Sequence, residues 1–160
     1  MTDVIAGTGH RPNKLGGYTH DATDRLVRFA RHILAQNDPD TVISGMALGW
    51  DTALAIAALD MGCPLTCAIP FAGQERMWPA ASQNQYNLIL SRASKVHIVS
   101  PGDYASWKMQ VRNEWMVDNC TLLLALWNGS PGGTGNCVRY AQSKSRTLIE
   151  NVWPEWDTFK

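Results

Sequence analysis

The stretch Thr121-Leu-Leu-Leu-Ala-Leu-Trp127 runs directly into Asn128-Gly-Ser-Pro-Gly-Gly-Thr-Gly135. Its centre, Leu122–Leu126, is apolar throughout, which is typical of a central strand that a parallel sheet buries on both faces. The glycine-rich segment leads into a short helical pattern, Gly135–Ser143. A buried strand joined to a helix through a glycine loop predicts an α/β fold.

The same alternation of short apolar runs and helical patterns continues along the chain. The strand candidates are Val4–Ala6, Thr41–Ser44, Leu65–Ile69, Val96–Val99, Thr121–Trp127 and Thr147–Ile149. The other helix candidates are Ala22–Leu34 with Asp21 as N-cap, Asp51–Met61, Gln83–Ser94 and Trp107–Asp118. This order predicts a Rossmann-like, doubly wound, mainly parallel sheet with helices on both faces. We expect one domain, residues 1–160, in which 153–160 form an irregular C-terminal tail.

Composition narrows the function classes. With 160 residues, 45% of them hydrophobic and 18% charged, the chain can bury a core and is not disordered. Its 14 basic and 14 acidic residues balance, which argues against stable nucleic-acid binding. No apolar run is long enough to span a membrane and no secretory signal opens the chain, so we expect a cytoplasmic protein. The four cysteines are expected to be reduced thiols, with no metal site.

The loops that leave the predicted strands are long and rich in glycine and polar residues, whereas those that enter them are short. The leaving loops are Gly7–Pro12, Ser44–Trp50, Pro70–Gln74 and Asn128–Gly135. Open α/β sheets bind ligands at the carboxyl ends of their strands. We therefore expect the binding site at this edge.

The first of these loops begins Gly7-Thr8-Gly9-His10-Arg11. It resembles the start of a dinucleotide fingerprint, but the third glycine is missing and no acidic residue ends the second strand. An NAD domain is therefore disfavoured, and we expect no cofactor. A glycine turn still lets backbone N–H groups approach an anion, with His10 and Arg11 alongside. The alternative is a tight turn whose basic residues are only solvated.

The second loop, Ser44-Gly45-Met46-Ala47-Leu48-Gly49, leads into a helix that begins near Trp50 and Asp51. Glycines before a helix N-terminus suit a phosphate. Trp50 is either a core residue or a stacking face for a base. Asp51 is either a favourable first-turn acid or an acceptor for a ribose hydroxyl or base. We expect Asp51 to be ionised, because the helix dipole favours its charged form.

Two further groups complete the predicted site. Arg112, Asn113 and Asp118 lie on the helix before the fifth strand, where Arg112 could clamp a phosphate bidentately or simply face water. After that strand, Asn128 and the segment Pro131-Gly132-Gly133-Thr134-Gly135 form a second candidate anion cradle.

Together these motifs resemble the SLOG superfamily, which includes the LOG phosphoribohydrolases and the Rossmann domain of DNA-processing protein A. The chain is most similar to the small YpsA-like and phage-borne members. The resemblance rests on Gly7–Pro12, Ser44–Asp51, Pro70-Phe71 with Gln74 and Trp78, Arg112-Asn113 with Met116–Asp118, and Trp127–Gly129 with Gly132–Thr134. It implies a Rossmann-like sheet that binds nucleotides or their derivatives at its carboxyl edge.

The resemblance also bears on catalysis. LOG enzymes cleave the N-glycosidic bond of a nucleoside monophosphate with an Arg and a Glu that follows the glycine loop. Arg112 matches that Arg, but Asn136 replaces the loop Thr and Val138 stands at the Glu position. Catalysis would require another carboxylate, Asp51, Asp118 or Glu114, and Asp51 with Arg112 is the candidate pair.

Three functions are compatible with the sequence. The first is a module that senses or sequesters a nucleotide or nucleotide-derived signalling ligand. The alternatives are a nucleotide N-glycosidase or transferase with a shifted carboxylate, and a DNA-processing accessory protein. A homodimer is compatible with each of them.

Overall fold

The computed structural model describes residues 3–160. The strands are β1 (Val4–Gly9), β2 (Thr41–Ser44), β3 (Leu65–Ile69), β4 (Lys95–Ile98), β5 (Leu122–Leu126) and β6 (Leu148–Asn151). The helices are α1 (His20–Asn37), α2 (Trp50–Asp60), α3 (Ala80–Arg92), α4 (Trp107–Asp118), α5 (Gly133–Gln142) and α6 (Trp153–Thr158), with one turn of 3-10 helix at Pro12–Lys14. Within this range, no helix has both the length and the apolar character needed to cross a bilayer.

All six strands form one parallel sheet in the order β4-β3-β2-β1-β5-β6. The chain adds β2, β3 and β4 on one side of β1 and then crosses back to place β5 on the other side. In the register between these two strands, Gly7 lies opposite Leu124. The fold is the predicted Rossmann-like α/β sheet, and its topological switch point lies between β1 and β5.

Alternate residues of the strands enter two different cores, because successive side chains point to opposite faces of a sheet. Ile5 joins the core that also contains residues of α1, α2, α3 and α6. Its neighbour Ala6 joins the core that contains residues of α4 and α5. The apolar run Leu122–Leu126 of β5 supplies both cores, which explains why it has no polar alternation.

Three predicted elements, Thr41–Ser44, Leu65–Ile69 and Trp107–Asp118, have the predicted bounds. The predicted N-cap of α1, Asp21, is wrong. The cap is Thr19, whose hydroxyl oxygen accepts from the backbone N–H of Ala22 at 3.2 Å. Asp21 lies inside the first turn, where it keeps a favourable position in the helix dipole.

The C-terminal tail is not irregular as expected, since residues 153–158 form α6. Pro154 stands in the first turn, where its fixed φ is compatible with a helix. Arg25 of α1 holds this helix in place. Its guanidinium carbon lies 3.7 Å above the Trp156 ring, and its Nη2 donates to the Trp156 carbonyl at 2.7 Å.

Candidate functional site

A cleft of about 390 Å³ opens at the carboxyl ends of β1 and β5, the switch point of the sheet. The loop that leaves β1 forms one side, the loop before α5 another, and α4 a third. The lining residues are Thr8, Gly9, His10, Arg11, Asn13, Lys14, Ala47, Asp51, Met109, Arg112, Asn113, Ser130, Pro131, Gly132, Gly133 and Thr134. Doubly wound sheets bind their ligands at such a crevice.

The predicted site residues divide into two sets. Those that line the cleft are Thr8, Gly9, His10, Arg11, Asp51, Arg112, Asn113, Gly132, Gly133 and Thr134. Those that do not line it are Gly7, Ser44, Gly45, Met46, Gly49, Trp50, Asp118, Asn128 and Gly135. Most residues of the second set pack against the residues that line the cleft or hold them in place, and their contacts explain why they do not line it themselves.

The glycines of the β1 loop serve packing. A Cβ on Gly9 would lie 2.5 Å from Cδ1 of Trp50, and a Cβ on Gly7 would overlap the Leu54 side chain. Both Trp50 and Leu54 belong to α2. The two glycines therefore let α2 approach β1 closely, and this approach sets the position of the cleft-lining residues that follow.

His10 fastens the β1 loop to the loop after β5. Its Nε2 accepts from the backbone N–H of Asn128 at 3.0 Å, which requires the neutral ring. The same nitrogen lies 2.9 Å from Oδ1 of Asn128, to which it donates only in the alternative protonation state in which Nε2 carries a proton. Oδ1 of Asn128 accepts from the N–H of Ser130 at 3.0 Å. Burial lowers the pKa of His10, against the raising effect of the Asn128 side chain. Asn128 thus holds His10 instead of lining the cleft.

Two cations of the β1 loop lie at the cleft. Lys14 donates from Nζ to the hydroxyl oxygen of Ser130 at 3.0 Å, which adds a second connection between the two loops. The guanidinium of Arg11 makes no hydrogen bond or ion pair with any residue between 3 and 160, although Arg11 lines the cleft. Its guanidinium is therefore available to an anion.

The loop between β2 and α2 is closed by the protein itself. The N–H of Trp50 donates to the His10 carbonyl at 3.3 Å, so this first-turn donor of α2 is occupied. Gly49 has a φ of 96°, and a Cβ there would overlap the same carbonyl oxygen. Ser44 holds the loop from within, since its hydroxyl donates to the Asp51 carbonyl at 2.7 Å and accepts from the Met46 N–H at 3.1 Å.

Trp50 is a core residue and offers no face to a base. Its side chain is fully buried, its Nε1 donates to the Leu124 carbonyl at 3.2 Å, and its ring packs against Phe29. Of the two interpretations that the sequence allowed, the core residue is the one that the structure has.

Arg112 and Asp51 are the two buried charges of the cleft, with 4% and 6% of their surfaces exposed. The Nη1 of Arg112 donates to the carbonyls of Gly45 and Ala68, and its Nε donates to Oδ1 of Asn113 at 2.9 Å. Oδ2 of Asp51 accepts from the Ala47 N–H at 3.4 Å.

Three polar atoms of this group make no hydrogen bond within residues 3–160. They are Nη2 of Arg112, Oδ1 of Asp51 and Nδ2 of Asn113. All three residues line the cleft. None of the three is a fully buried atom without a partner, so each is accessible from the cleft and free to bind a ligand there.

Gly45 separates the two charges. A Cβ at this position would lie 2.8 Å from Cζ of Arg112 and 2.9 Å from Oδ2 of Asp51. Only a residue without a side chain lets both groups keep these positions. Gly45 thus leaves room for the side chains of Arg112 and Asp51, and it does not line the cleft.

Burial changes the acid–base properties of this pair. It raises the pKa of Asp51, and Arg112 and Arg11 act in the opposite direction. It lowers the pKa of Arg112, against the effect of Asp51. We expected the helix dipole to favour the ionised form of Asp51, but desolvation by burial acts in the opposite direction and raises its pKa. A carboxyl with a raised pKa is better suited to donating a proton than we expected.

The first turn of α5 differs from that of α2. The backbone N–H groups of Gly133, Thr134 and Gly135 precede the first intrahelical bond, which runs from the N–H of Asn136 to the Gly132 carbonyl at 2.9 Å. Within residues 3–160 none of these three groups, nor the Thr134 hydroxyl, has a hydrogen-bond partner. Space is open beside this turn, since a Cβ on Gly132 or Gly133 would meet no atom within 4 Å.

Two predicted positions lie away from the cleft for simple geometric reasons. α4 begins at the carboxyl edge and runs back, so Asp118 is about 9 Å of helix beyond Arg112, toward the opposite edge. There its carboxylate accepts from the Tyr140 hydroxyl at 2.9 Å. Gly135 faces inward, where a Cβ would lie 3.2 Å from the Trp127 ring.

Sequence reasoning did not single out four lining residues, Asn13, Lys14, Met109 and Ser130, and it named Ala47 and Pro131 only as parts of their loops. Met109 could have been found, because it stands three residues before Arg112 and therefore on the same helix face. Lys14 gave no such signal. It reaches Ser130 only because the chain turns through Pro12–Lys14.

Comparison with known proteins identifies the family. Residues 5–148 match the YpsA family model, described as the YspA SLOG family. The chain belongs to this family. The matched range includes every residue that lines the cleft.

Two relatives extend the assignment. The chain is 30% identical over 146 residues to the uncharacterized SPbeta prophage-derived protein YoqJ of Bacillus subtilis strain 168, covering 81% of this chain and 84% of that protein. It is 27% identical over 160 residues to a UPF0398 protein of Bacillus cereus strain AH820, covering 92% and 86%. Both support the similarity to YpsA-like and phage-borne members.

Solved structures share the fold. DNA processing protein A from Streptococcus pneumoniae superposes with a TM-score of 0.64 at 19% identity over 92% of this chain, which spans about half (49%) of that protein's length. The Helicobacter pylori protein, whose single-stranded DNA binding mode has been described, also gives 0.64, at 18% identity over 92% of this chain and 64% of that one. The molybdenum cofactor carrier protein of Chlamydomonas reinhardtii gives 0.57 at 12% identity, covering 99% and 82%.

Proposed function

We propose that this protein binds a small phosphorylated ligand, a nucleotide or nucleotide derivative, in the cleft between β1 and β5. It acts as a sensor or sequestering module in the cytoplasm, where its four cysteines remain free thiols. The proposal draws on the geometry of the cleft and on membership of the SLOG family.

One observation carries the proposal. The first turn of α5 offers the unpaired N–H groups of Gly133, Thr134 and Gly135, and the same cleft contains the unpaired Nη2 of the buried Arg112. A helix N-terminus attracts anions through its free donors and its dipole. A guanidinium adds a charge-assisted donor of the geometry that phosphate accepts.

The charges around the cleft support an anionic ligand. Arg11, Lys14 and Arg112 contribute three positive charges, and Asp51 is the single acidic residue of the lining. His10 adds none while its Nε2 accepts from Asn128. The balanced charge of the whole chain therefore conceals a local positive field that favours a phosphate.

A thermal-shift titration with nucleoside mono- and diphosphates tests the proposal. A ligand at a hundredfold its Kd should add about 2.7 kcal/mol to the free energy of unfolding, a readily measured rise in Tm. Gly133→Val should remove that rise while leaving the Tm of the free protein unchanged, because its side chain enters only the open space of the cleft.

The matched control is Ala80→Val, which enlarges the first residue of α3 at an exposed position outside the cleft. It should keep the full ligand-induced rise. If no nucleotide raises the Tm of the wild-type protein at millimolar concentration, the proposal is wrong.

One observation favours a second candidate, cleavage of a nucleotide N-glycosidic bond. Asp51 is a cleft carboxyl whose pKa is raised by burial, as a proton donor to a leaving base requires. The position of the LOG glutamate, Val138, is buried in α5 and cannot supply this group. Chromatography of nucleoside monophosphates after incubation would detect released base. Release that disappears in Asp51→Asn, with binding retained, would favour the enzyme over the binding module.

A further inference from the structure

Among the described residues that line the cleft the one aromatic ring is that of His10, which is held by Asn128 and packs against Trp153. Among the described residues around it none is Phe, Tyr or Trp, and Met109 is the one large apolar side chain. Base recognition normally uses a stacking face worth about 1–3 kcal/mol per base. The cleft offers hydroxyl, amide, carboxyl and cationic groups instead.

The three tryptophans nearest the cleft contact other residues of the protein. Trp50 is fully buried in the core. The Nε1 of Trp127 donates to the Ser130 carbonyl at 2.7 Å, and its ring packs against Gly135. Trp153 packs edge to face with His10, the ring centroids being 5.8 Å apart. None of these three rings lines the cleft.

The remaining polar groups suit sugar hydroxyls. Oδ1 of Asp51 is a free acceptor and Nδ2 of Asn113 is a free donor, whereas Nη2 of Arg112 is assigned to the phosphate. Each hydroxyl of a sugar both donates and accepts one hydrogen bond, so adjacent hydroxyls match a mixed set of this kind. Both Asp51 and Asn113 are more than nine-tenths buried, which fixes the positions of their free atoms.

The size of the cleft agrees with a small ligand. Its volume of about 390 Å³ is near the lower end of the roughly 300–1,000 Å³ that small-molecule sites occupy. From these observations we infer that the cleft recognises a pentose phosphate and leaves the base, where there is one, outside. The phosphate lies at the first turn of α5, and the sugar hydroxyls lie at Asp51 and Asn113. This inference rests on the proposed function and specifies its ligand.

Isothermal titration calorimetry of the full chain tests the inference with ribose 5-phosphate, the AMP, GMP, CMP and UMP series, and adenosine. Ribose 5-phosphate and the four nucleotides should have Kd values within about threefold of one another, since no stacking contact separates them. Adenosine, which lacks the phosphate, should not bind at millimolar concentration.

The hydroxyl contacts are tested separately by comparing AMP with 2′,3′-dideoxyadenosine monophosphate. The dideoxy compound should bind at least about tenfold more weakly, the loss expected when hydrogen bonds to a charged group disappear. In Asp51→Asn this difference should shrink to within about threefold. The same replacement at Asp118, which lies on the opposite edge, should leave it unchanged.

Each outcome decides between the two proposals. A nucleotide that binds while ribose 5-phosphate does not, or a spread above tenfold among the four bases, overturns the inference and leaves the proposed function standing. An AMP preference over its dideoxy form that survives Asp51→Asn overturns the assignment of the hydroxyl contacts. If neither ribose 5-phosphate nor any nucleotide binds, both proposals fail.

Discussion

Two segments of this chain have the same plan, a buried strand that leads through glycines into a helix, yet they differ in what occupies the helix N-terminus. Before α2 the space beside Gly45 and Gly49 is filled by Arg112, Asp51 and the His10 carbonyl. Before α5 the space beside Gly132 and Gly133 is empty. A glycine-rich loop is therefore not a ligand site by composition. In the first segment the glycines let parts of the protein approach one another, and in the second they leave room for something else.

The sharpest test of this difference is the pair Gly49→Ala and Gly133→Ala. At Gly49 the φ of 96° and the overlap with the His10 carbonyl should together cost about 3 kcal/mol of unfolding free energy, or roughly 6–12 °C in Tm. At Gly133 the change should stay within about 0.5 kcal/mol. Denaturant unfolding of both variants gives the comparison. Equal losses would mean that the two loops do not differ as described.

A smaller effect is expected at Gly45, where the obstruction is a pair of side chains and not a backbone. Gly45→Ala should cost about 1–3 kcal/mol, the usual range for overpacking, because Arg112 and Asp51 must both shift. It should also weaken nucleotide binding, because the displaced Arg112 no longer donates to the Gly45 carbonyl from its present position. Unfolding and calorimetry on the same variant measure both. Full affinity in Gly45→Ala would show that the position of Arg112 does not matter.

Stability as a function of pH tests the two buried charges beside the loop that precedes α2, Arg112 and Asp51. Because burial raises the native pKa of Asp51 above its ordinary 3.8, the native state binds this proton more tightly than the unfolded chain. The stabilising contribution of Asp51 is therefore complete below pH 3.8 and is lost as the pH rises through its native pKa.

The measurement compares the wild-type protein with Asp51→Asn over that pH range. The free energy of unfolding of the wild-type protein minus that of the variant should fall as the pH rises. Asp118→Asn, at an exposed position, controls for the removal of one charge. A difference that rises with pH would mean that Arg112 and Arg11 outweigh desolvation at Asp51.

The sequence predicts the strands of the sheet, but it does not show which of the two glycine loops has open space beside it. Strands such as Leu65–Ile69 and Leu122–Leu126 can be recognised as apolar runs, because both faces of a central parallel strand are buried. Whether Trp50 stacks on a ligand or packs on Phe29 depends on contacts between segments far apart in the chain. The raised pKa of Asp51 likewise follows from burial, which the local pattern of a first-turn acid does not reveal.

The smallest effect is expected with DNA. The structural likeness to DNA processing protein A is a likeness of fold, and the chain carries 14 basic and 14 acidic residues. Without a surplus of cations to release counterions, any gel shift with single- or double-stranded DNA should vanish by about 150–200 mM salt. Gly133→Val should behave like the wild-type protein. A complex that persists at this salt would favour the DNA-processing alternative.

The most direct test is an NMR titration of the ¹⁵N-labelled protein with AMP, following the backbone amides of the two helix N-termini. We predict the largest shifts at Gly133, Thr134 and Gly135, whose N–H groups have no partner in the described chain, and small shifts at Trp50, whose N–H already donates to the His10 carbonyl. If Trp50 and its neighbours shift while the amides of Gly133 to Gly135 do not, the ligand binds at the N-terminus of α2 and not at that of α5, and the distinction between the two loops is wrong.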